Sequence, residues 1–221
     1  HLPFPQTDVA FWRPLGGVLM RLLALILPRC AGVIAASPLY AREFCNRYHL
    51  PDVITIRNVP EYQPVAKSER IRRYLGLSPD VRIALYQGRL QRNRGLDRLV
   101  RAARFLEQDI VIVMMGEWQG MVRSEIEALI ANEGVGDRVK IIPQVPYEEL
   151  LQWTASADIG LTLFSPDYSP SIRLTLPNKL FEYLMAGLPV LSSQLDAIVE
   201  VIKTYDVGQV VSSLAPEHIA A

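Results

Sequence analysis

The sequence predicts an α/β fold built on a doubly wound parallel sheet, and three observations predict it. Beyond about residue 63, short apolar runs alternate with helical patterns, the runs are apolar at consecutive positions, and the breaks between them fall on Gly, Pro and Ser. Strand followed by helix followed by strand implies crossover connections and hence parallel strands. Strands apolar on both faces are those that helices cover from both sides. The predicted order is a strand at Arg82–Gly88, a helix from about Gly95 to Leu106, a strand at Asp109–Gly116 and a helix from about Gln119 to Asn132. A strand at Val139–Pro143, a helix at Tyr147–Ser156 and a strand at Asp158–Phe164 follow. Then come a long loop, a helix opening near Asn178, a strand at Pro189–Ser193 and a last helix from about Leu195.

The first third of the chain reads differently. From Trp12 to Arg29 the residues are densely apolar with no glycine after Gly17, which predicts a helix ending near Pro28. Its core, Val18–Leu27, is shorter than a bilayer span and is interrupted by Arg21, so a buried or interfacial helix is expected in place of a membrane-crossing one. Gly32–Ser37 reads as a strand feeding a helix, with Ser37 as N-cap and Pro38 at the first helical position. That helix should run to about His49, itself a capping or surface residue, before a second strand at Ile54–Asn58. The stretch NVPEYQPVAKSE is rich in Pro and polar residues and marks a boundary, dividing residues 1–62 from residues 63–221. The sequence opens at His1 without the charged start or cleavage site of a signal peptide, and is expected to begin inside a longer chain.

Composition narrows the function classes. Lys plus Arg equals Asp plus Glu at 23 each, so no net field draws the chain to nucleic acid, and any anion must be held by local placement of cations. Cys30 and Cys45 lack the spacing of a zinc site or a disulfide framework, which points to unreactive thiols in a reducing, cytoplasmic setting.

In a doubly wound sheet, ligands bind beyond the carboxyl ends of the strands, where loops meet helix N-termini. Four stretches lie there: QGRLQRNRG, MGEWQG, PQVPYEE and SPDYSPSIRLTLPNK. In the first, Gly88 and Arg89 precede Arg94 and Gly95 between a strand end and a helix start. Such a turn exposes backbone N–H groups, and two guanidiniums can converge across it on a diphosphate. Arg92 and Arg98 allow the alternative of a solvated, Arg-rich helix surface. In LPNKLFEYLMAGLPV, Pro177 and Asn178 open a helix whose first turn carries Lys179, an arrangement suited to an anion. Glu182, three residues on, reads either as an intrahelical ion-pair partner of Lys179 or as a carboxylate accepting from two ribose hydroxyls.

Together GRLQRNRG, MGEW, ADIGLTLFSP and LPNKLFEYLMAGLPVLSS resemble glycosyltransferase family 4 and its near relatives, the large GT-B group that makes bacterial polysaccharides and glycolipids. The resemblance implies a Rossmann-like nucleotide-sugar domain at residues 63–221 and, at residues 1–62, the end of the acceptor-side domain. It implies that Arg89 and Arg94 hold the donor diphosphate, with Arg94 standing where Lys is commoner. It implies that Glu182 holds the ribose and that Pro143, Gln144 and Val145 meet the base. Asn178 and Lys179 replace a Gly-rich loop beside the phosphates, in a branch marked by Leu-Pro-Asn-Lys. One departure stands out: the family's first glutamate, eight positions before the ribose glutamate, is Leu174 here. Asp167, Tyr168, Ser169, Ser171 and Arg173 become the candidates for contact with the sugar. His1 is a candidate for the His of an Asp-X-His motif, and His218 has no evident partner.

The implied activity is that of a retaining hexosyltransferase moving a sugar from a UDP- or GDP-sugar to a glycan or lipid-linked acceptor, with peripheral contact at the inner face of a membrane. Arg89, Arg94 and Lys179 would stabilise the departing diphosphate without a metal, and the chain has no Asp-X-Asp. The chain alone is expected to be inactive for want of the acceptor-binding part. Alternatives are a non-catalytic nucleotide-sugar-binding module and a sugar-nucleotide epimerase, for which the loops offer few acids and bases. A dinucleotide-dependent dehydrogenase would need Gly-X-Gly-X-X-Gly after the first strand, which is absent.

Overall fold

A computed structural model describes residues 13–167 and 169–221. Its N-terminal part comprises α1 (Arg13–Ile26), which continues into a single 3-10 turn (Leu27–Arg29), then β1 (Ile34–Ala35), α2 (Pro38–Tyr48) and β2 (Ile54–Thr55). The proposed start of the first helix at Trp12 lies outside the described residues. Ser37 caps α2 as expected, its hydroxyl accepting from the Tyr40 amide at 3.1 Å with Pro38 in the first turn. His49 ends the helix in the left-handed conformation. Both strands are shorter than predicted, because β1 and β2 pair in parallel only with each other, over Ile34 to Ile54 and Ala35 to Thr55. Ala35, Tyr40, Ala41, Tyr48, Leu50 and Val53 form a small core of their own.

After the linker come α3 (Arg70–Leu75), β3 (Arg82–Gln87), α4 (Leu96–Ala102), β4 (Ile110–Gly116), α5 (Val122–Glu133), β5 (Val139–Pro143) and α6 (Tyr147–Thr154). The remainder is β6 (Ile159–Thr162), α7 (Pro170–Leu174), α8 (Asn178–Met185), β7 (Val190–Ser192), α9 (Asp196–Tyr205), β8 (Gly208–Val210) and α10 (Pro216–Ala220). The second sheet has the order β5-β4-β3-β6-β7-β8 with every pairing parallel, as the alternating pattern predicts. Ile83, Leu85, Val113 and Leu180 are fully buried within its core.

Four elements were not legible in the sequence. α3 ends at Gly76, whose left-handed φ of 63° costs a glycine little. α7 interrupts the predicted long loop. It begins with the same Ser-Pro signature as α2, Ser169 accepting from the Ile172 amide at 3.3 Å. β8 and α10 follow α9, which the sequence predicts to be the last helix.

Winding proceeds outward from β3 to β5, then resumes on the other edge of β3 with β6. The crevice of such a sheet opens where the winding reverses, here between β3 and β6. Their ladder covers only Ala84 with Ile159 and Leu85 with Gly160. Beyond it the gap is closed from α8: the Tyr183 hydroxyl accepts from the Gln87 amide at 3.1 Å and faces the carbonyls of Leu85 at 3.0 Å and Leu161 at 3.4 Å. The Tyr183 ring lies so close to β6 that a Cβ on Gly160 would fall 2.3 Å from it. At the opposite end of the same two strands, Asp158 accepts from the Ile83 amide at 2.8 Å and from Arg72 at 2.7 Å.

Gly160→Ala should therefore lower stability by about 1–3 kcal/mol, the usual cost of overpacking a core, read as a shifted urea midpoint with an unchanged m-value. An unshifted midpoint would mean that α8 does not depend on this contact.

Candidate functional site

At the carboxyl ends of β3 and β6 lies a cleft of about 310 Å³, lined among others by Tyr86, Gly88, Arg89, Arg94, Phe164, Pro177, Asn178, Lys179 and Glu182. Two stretches that the sequence places far apart meet here: the turn after β3, and the N-terminal turn of α8. Gly88 stands between them without a side chain, and a Cβ there would lie 3.7 Å from the Lys179 ammonium.

In the turn after β3 two amides are engaged by the neighbouring strand end: Gly88 N–H donates to Met115 O at 3.0 Å and Leu90 N–H to Glu117 O at 2.8 Å. Arg92 turns away and pairs with Glu125 on α5, so the solvated-surface reading holds for Arg92. Arg89 is exposed at the cleft. The Arg94 guanidinium lies 4.8 Å from the centroid of the Phe164 ring. With the Gln91 amide oriented to satisfy its neighbours, its oxygen accepts from Arg94 Nε at 3.0 Å and Nη2 at 3.1 Å, so Arg94 is held by a neutral group that leaves its charge uncompensated.

Lys179 does not form the intrahelical ion pair that its spacing from Glu182 suggested. Its ammonium sits 3.6 Å from the centroid of the Tyr86 ring and 5.1 Å from that of Phe164, a cation over aromatic faces. Burial, and then the positive charge of Arg94, push the Lys179 pKa well below the ordinary lysine value, while Glu182 pulls it back. Two cations sharing one aromatic floor repel each other, and an anion between them would relieve that cost.

Glu182 is buried and takes a hydrogen bond from Gln87 Nε2 at 2.6 Å. The other end of that amide, Gln87 Oε1, accepts from the Thr154 hydroxyl at 2.7 Å. Burial raises the Glu182 pKa above the usual carboxylate value, and the Gln87 amide and Lys179 act against the rise. Glu182, Tyr147 and Leu150 also border a second hollow of about 190 Å³, whose wall includes Pro60, Leu151 and Met185 together with Glu61, Gln63 and Glu148. A cationic cleft and a hollow of mixed lining thus meet at Glu182.

The other predicted residues are distributed as follows. Pro177 is the N-cap of α8, and the Asn178 side chain accepts from Asn58 Nδ2 at 3.2 Å, joining the linker to the helix start. Gln144 is exposed and Val145 packs against the main core; neither lines the cleft, whose wall on that side is Tyr147 and Leu150. In the loop, Ser169 caps α7, the buried Ser171 bonds to the Tyr40 hydroxyl, and Arg173 pairs with Asp196 at 2.9 Å. Asp167 is exposed, whereas Tyr168 and His1 lie outside the described residues. Leu174 packs against the small N-terminal core, and its carbonyl accepts from the Ser37 hydroxyl at 2.6 Å. His218 Nδ1 meets the Ser213 hydroxyl at 2.6 Å, away from the cleft. Among the described residues no three His, Cys, Asp or Glu are grouped to hold a metal ion. Sequence reasoning missed Gln87, Thr154, Tyr183 and the Tyr86–Phe164 floor. A Gln following the apolar run Ile83–Tyr86 was the available signal.

The Glycosyl transferases group 1 family matches residues 67–221. Among curated proteins, the D-inositol 3-phosphate glycosyltransferase of Thermobispora bispora is 27% identical over 204 residues, which cover 86% of this chain and 46% of that protein. Its counterpart from Streptomyces scabiei is 28% identical over 203 residues, 85% of this chain and 44% of its own length. The chain thus spans about half the length of the curated relatives it matches. Among solved structures, Anabaena HepE in complex with UDP aligns with a TM-score of 0.77 at 17% identity, covering 92% of this chain and 56% of that one. Sucrose-phosphate synthase from Thermosynechococcus elongatus aligns with a TM-score of 0.71 at 22% identity, covering 98% and 54%.

The raised Glu182 pKa has a measurable sign. Ionising this carboxylate costs the folded state more than the unfolded one, so the cost is absent below the ordinary glutamate value of about 4.3 and grows as pH rises above it. Glu182→Gln should raise the denaturation midpoint at pH 7, and the gain should vanish near pH 4. An equal gain at both values would tie the effect to packing instead.

Proposed function

Because the chain belongs to the Glycosyl transferases group 1 family and has a GT-B glycosyltransferase fold, we propose that it supplies the donor side of a retaining hexosyltransferase. The donor is a nucleotide-diphosphate sugar, and the acceptor a glycan or lipid-linked glycan. The observation that carries this reading is the order of features along the joined hollows: cations, then the Glu182 carboxylate, then a recess in which Pro60, Leu150, Leu151 and Met185 share the wall with Glu61, Gln63 and Glu148. A nucleoside diphosphate has the same order of phosphates, ribose and base. A UDP donor is supported by structural neighbours described in complex with UDP, with UDP and glucose, and with UDP-glucose.

In this reading Arg89, Arg94 and Lys179 bind the diphosphate. Their side chains are in place before reaction, a bound diphosphate favours the protonated form of Lys179, and the cations act most strongly as negative charge builds on the departing β-phosphate, the kind of preorganised stabilisation worth several kcal/mol in a closed cleft. Pro177 and Asn178 shape the helix start, and Glu182 accepts from the ribose. Gln144 and Val145 meet the base by backbone groups as the ligand extends along the wall formed by Tyr147. Leu174 leaves no carboxylate at the position where relatives contact the sugar, so its recognition rests on the loop before α7 and on the acceptor side. Val18, Leu19, Leu22, Leu25 and Ile26 are exposed on α1 and support peripheral contact with the cytoplasmic face of a membrane, although no helix among the described residues is long and apolar enough to cross one.

Calorimetric titration of the chain with UDP, GDP and NAD tests the proposal: a nucleoside diphosphate should bind and NAD should not, and binding of NAD alone would overturn it. Arg89→Ala and Arg94→Ala should each weaken the nucleotide about tenfold or more, as expected for loss of a charge-assisted hydrogen bond. In an active transferase carrying this chain, Arg89→Ala should cut turnover at least about a hundredfold. Unchanged affinity and turnover would remove Arg89 from the diphosphate.

A further inference from the structure

We propose that Gln87, oriented by Thr154, is a positioning residue that confers ribose selectivity: it ties down one oxygen of Glu182 and leaves the other directed to a vicinal diol. The inference rests on the nucleoside diphosphate reading of the cleft.

Gln87 is the last residue of β3, and it is buried at 1% exposure after the apolar run Ile83–Tyr86. A polar amide at such a place is stable only if both ends are satisfied. One end donates to Glu182 Oε2 at 2.6 Å, and the other accepts from Thr154 Oγ1 at 2.7 Å. An ionised Glu182 can only accept, so it takes the NH₂ end of the amide and leaves Oε1 toward the Thr154 hydroxyl, whose one proton lies between Gln87 Oε1 and, at 2.8 Å, Leu150 O. Thr154 and Glu182 thus hold the amide from its two ends, and the amide in turn holds the carboxylate.

The backbone holds the same arrangement. Gln87 N–H donates to the hydroxyl of Tyr183, the residue next to Glu182, so strand end and helix are linked through both main chain and side chain. Thr154 on α6, Gln87 on β3 and Glu182 on α8 form one line of contacts reaching the junction of the two hollows. With Oε2 committed, Glu182 has one oxygen left, whose two lone pairs can accept from neighbouring 2′ and 3′ hydroxyls. Without Gln87, the carboxylate loses its fixed direction, and the diol loses its acceptor while the phosphate contacts remain.

The test compares the affinities of uridine diphosphate and 2′,3′-dideoxyuridine diphosphate by calorimetry on the chain, with the guanosine pair used instead if GDP binds more tightly. Wild type should prefer the ribose form by about tenfold or more, as for any hydrogen bond to a charged group. Gln87→Met, close in shape but without the amide, should bring that ratio within about twofold while leaving affinity for the dideoxy form nearly unchanged. A purely structural role would instead weaken both nucleotides equally, and that result would overturn the proposal. If Gln87→Met does not fold, the Thr154 pair decides: Thr154→Ser should keep the preference and Thr154→Val should reduce it, while equal ratios in the two would overturn the proposal. A full preference in Gln87→Met together with none in Glu182→Gln would overturn the role of Gln87 and leave the ribose reading intact. Absence of any preference in wild type would defeat the ribose reading and this proposal together.

Discussion

The contact on which the site depends is that of Tyr183 with the central strands. β3 and β6 part company after a short ladder, as strands must where the winding of a parallel sheet reverses. That parting makes a crevice, but it also strands backbone polar groups in the interior, which is costly. Tyr183 resolves both demands. Its hydroxyl takes up the Gln87 amide and the facing carbonyls, and its ring lies against Gly160, where no larger residue leaves room. Docking α8 in this way fixes the two residues on either side of the anchor in function, Lys179 a turn before it and Glu182 beside it.

The electrostatics of the cleft follow from that docking. Lys179 is brought over Tyr86 and Phe164, close enough to Arg94 for its protonated form to be disfavoured, while Glu182 is withdrawn from solvent with one amide partner. Each of these charges is held at some cost to the folded protein. In a family of transferases such stored cost has a use, since groups already in place need not reorganise when charge develops on a leaving phosphate. The aromatic floor makes the arrangement tolerable, because ring faces attract cations without neutralising them. A carboxylate in the same place would hold the lysine more firmly and cancel the field.

The N-terminal segment contributes more to the site than a linker would. Tyr40 and Ser37 on one side and Ser171 and Leu174 on the other join the start of α2 to α7, ahead of α8. Leu174 thereby makes an apolar contact with the small N-terminal core. Of the two serines that looked like sugar contacts, Ser171 is engaged in holding this junction and Ser169 in capping α7. The loop is positioned by a segment more than a hundred residues earlier in the chain, and local sequence carries no trace of that.

By itself the sequence determined the alternation of strand and helix, the Ser-Pro start of α2, and the four loops in which chemistry had to lie, because period, capping and apolar runs are local properties. It also determined which residue types were on offer: Arg89, Arg94, Lys179 and Glu182. What those residues do was decided only in three dimensions. The spacing of Lys179 and Glu182 suits an ion pair, yet tertiary packing gives the lysine an aromatic floor and the glutamate an amide. The turn at Gly88 was expected to offer its amides, yet those of Gly88 and Leu90 go to the carbonyls of Met115 and Glu117. α7 carried the same Ser-Pro signature as α2 but sat within a stretch rich in polar and turn residues, where local propensity is divided. Gln87, Thr154 and Tyr183 belong to three elements remote in sequence, and their roles exist only because the sheet reverses its winding between β3 and β6 and brings those elements to one point.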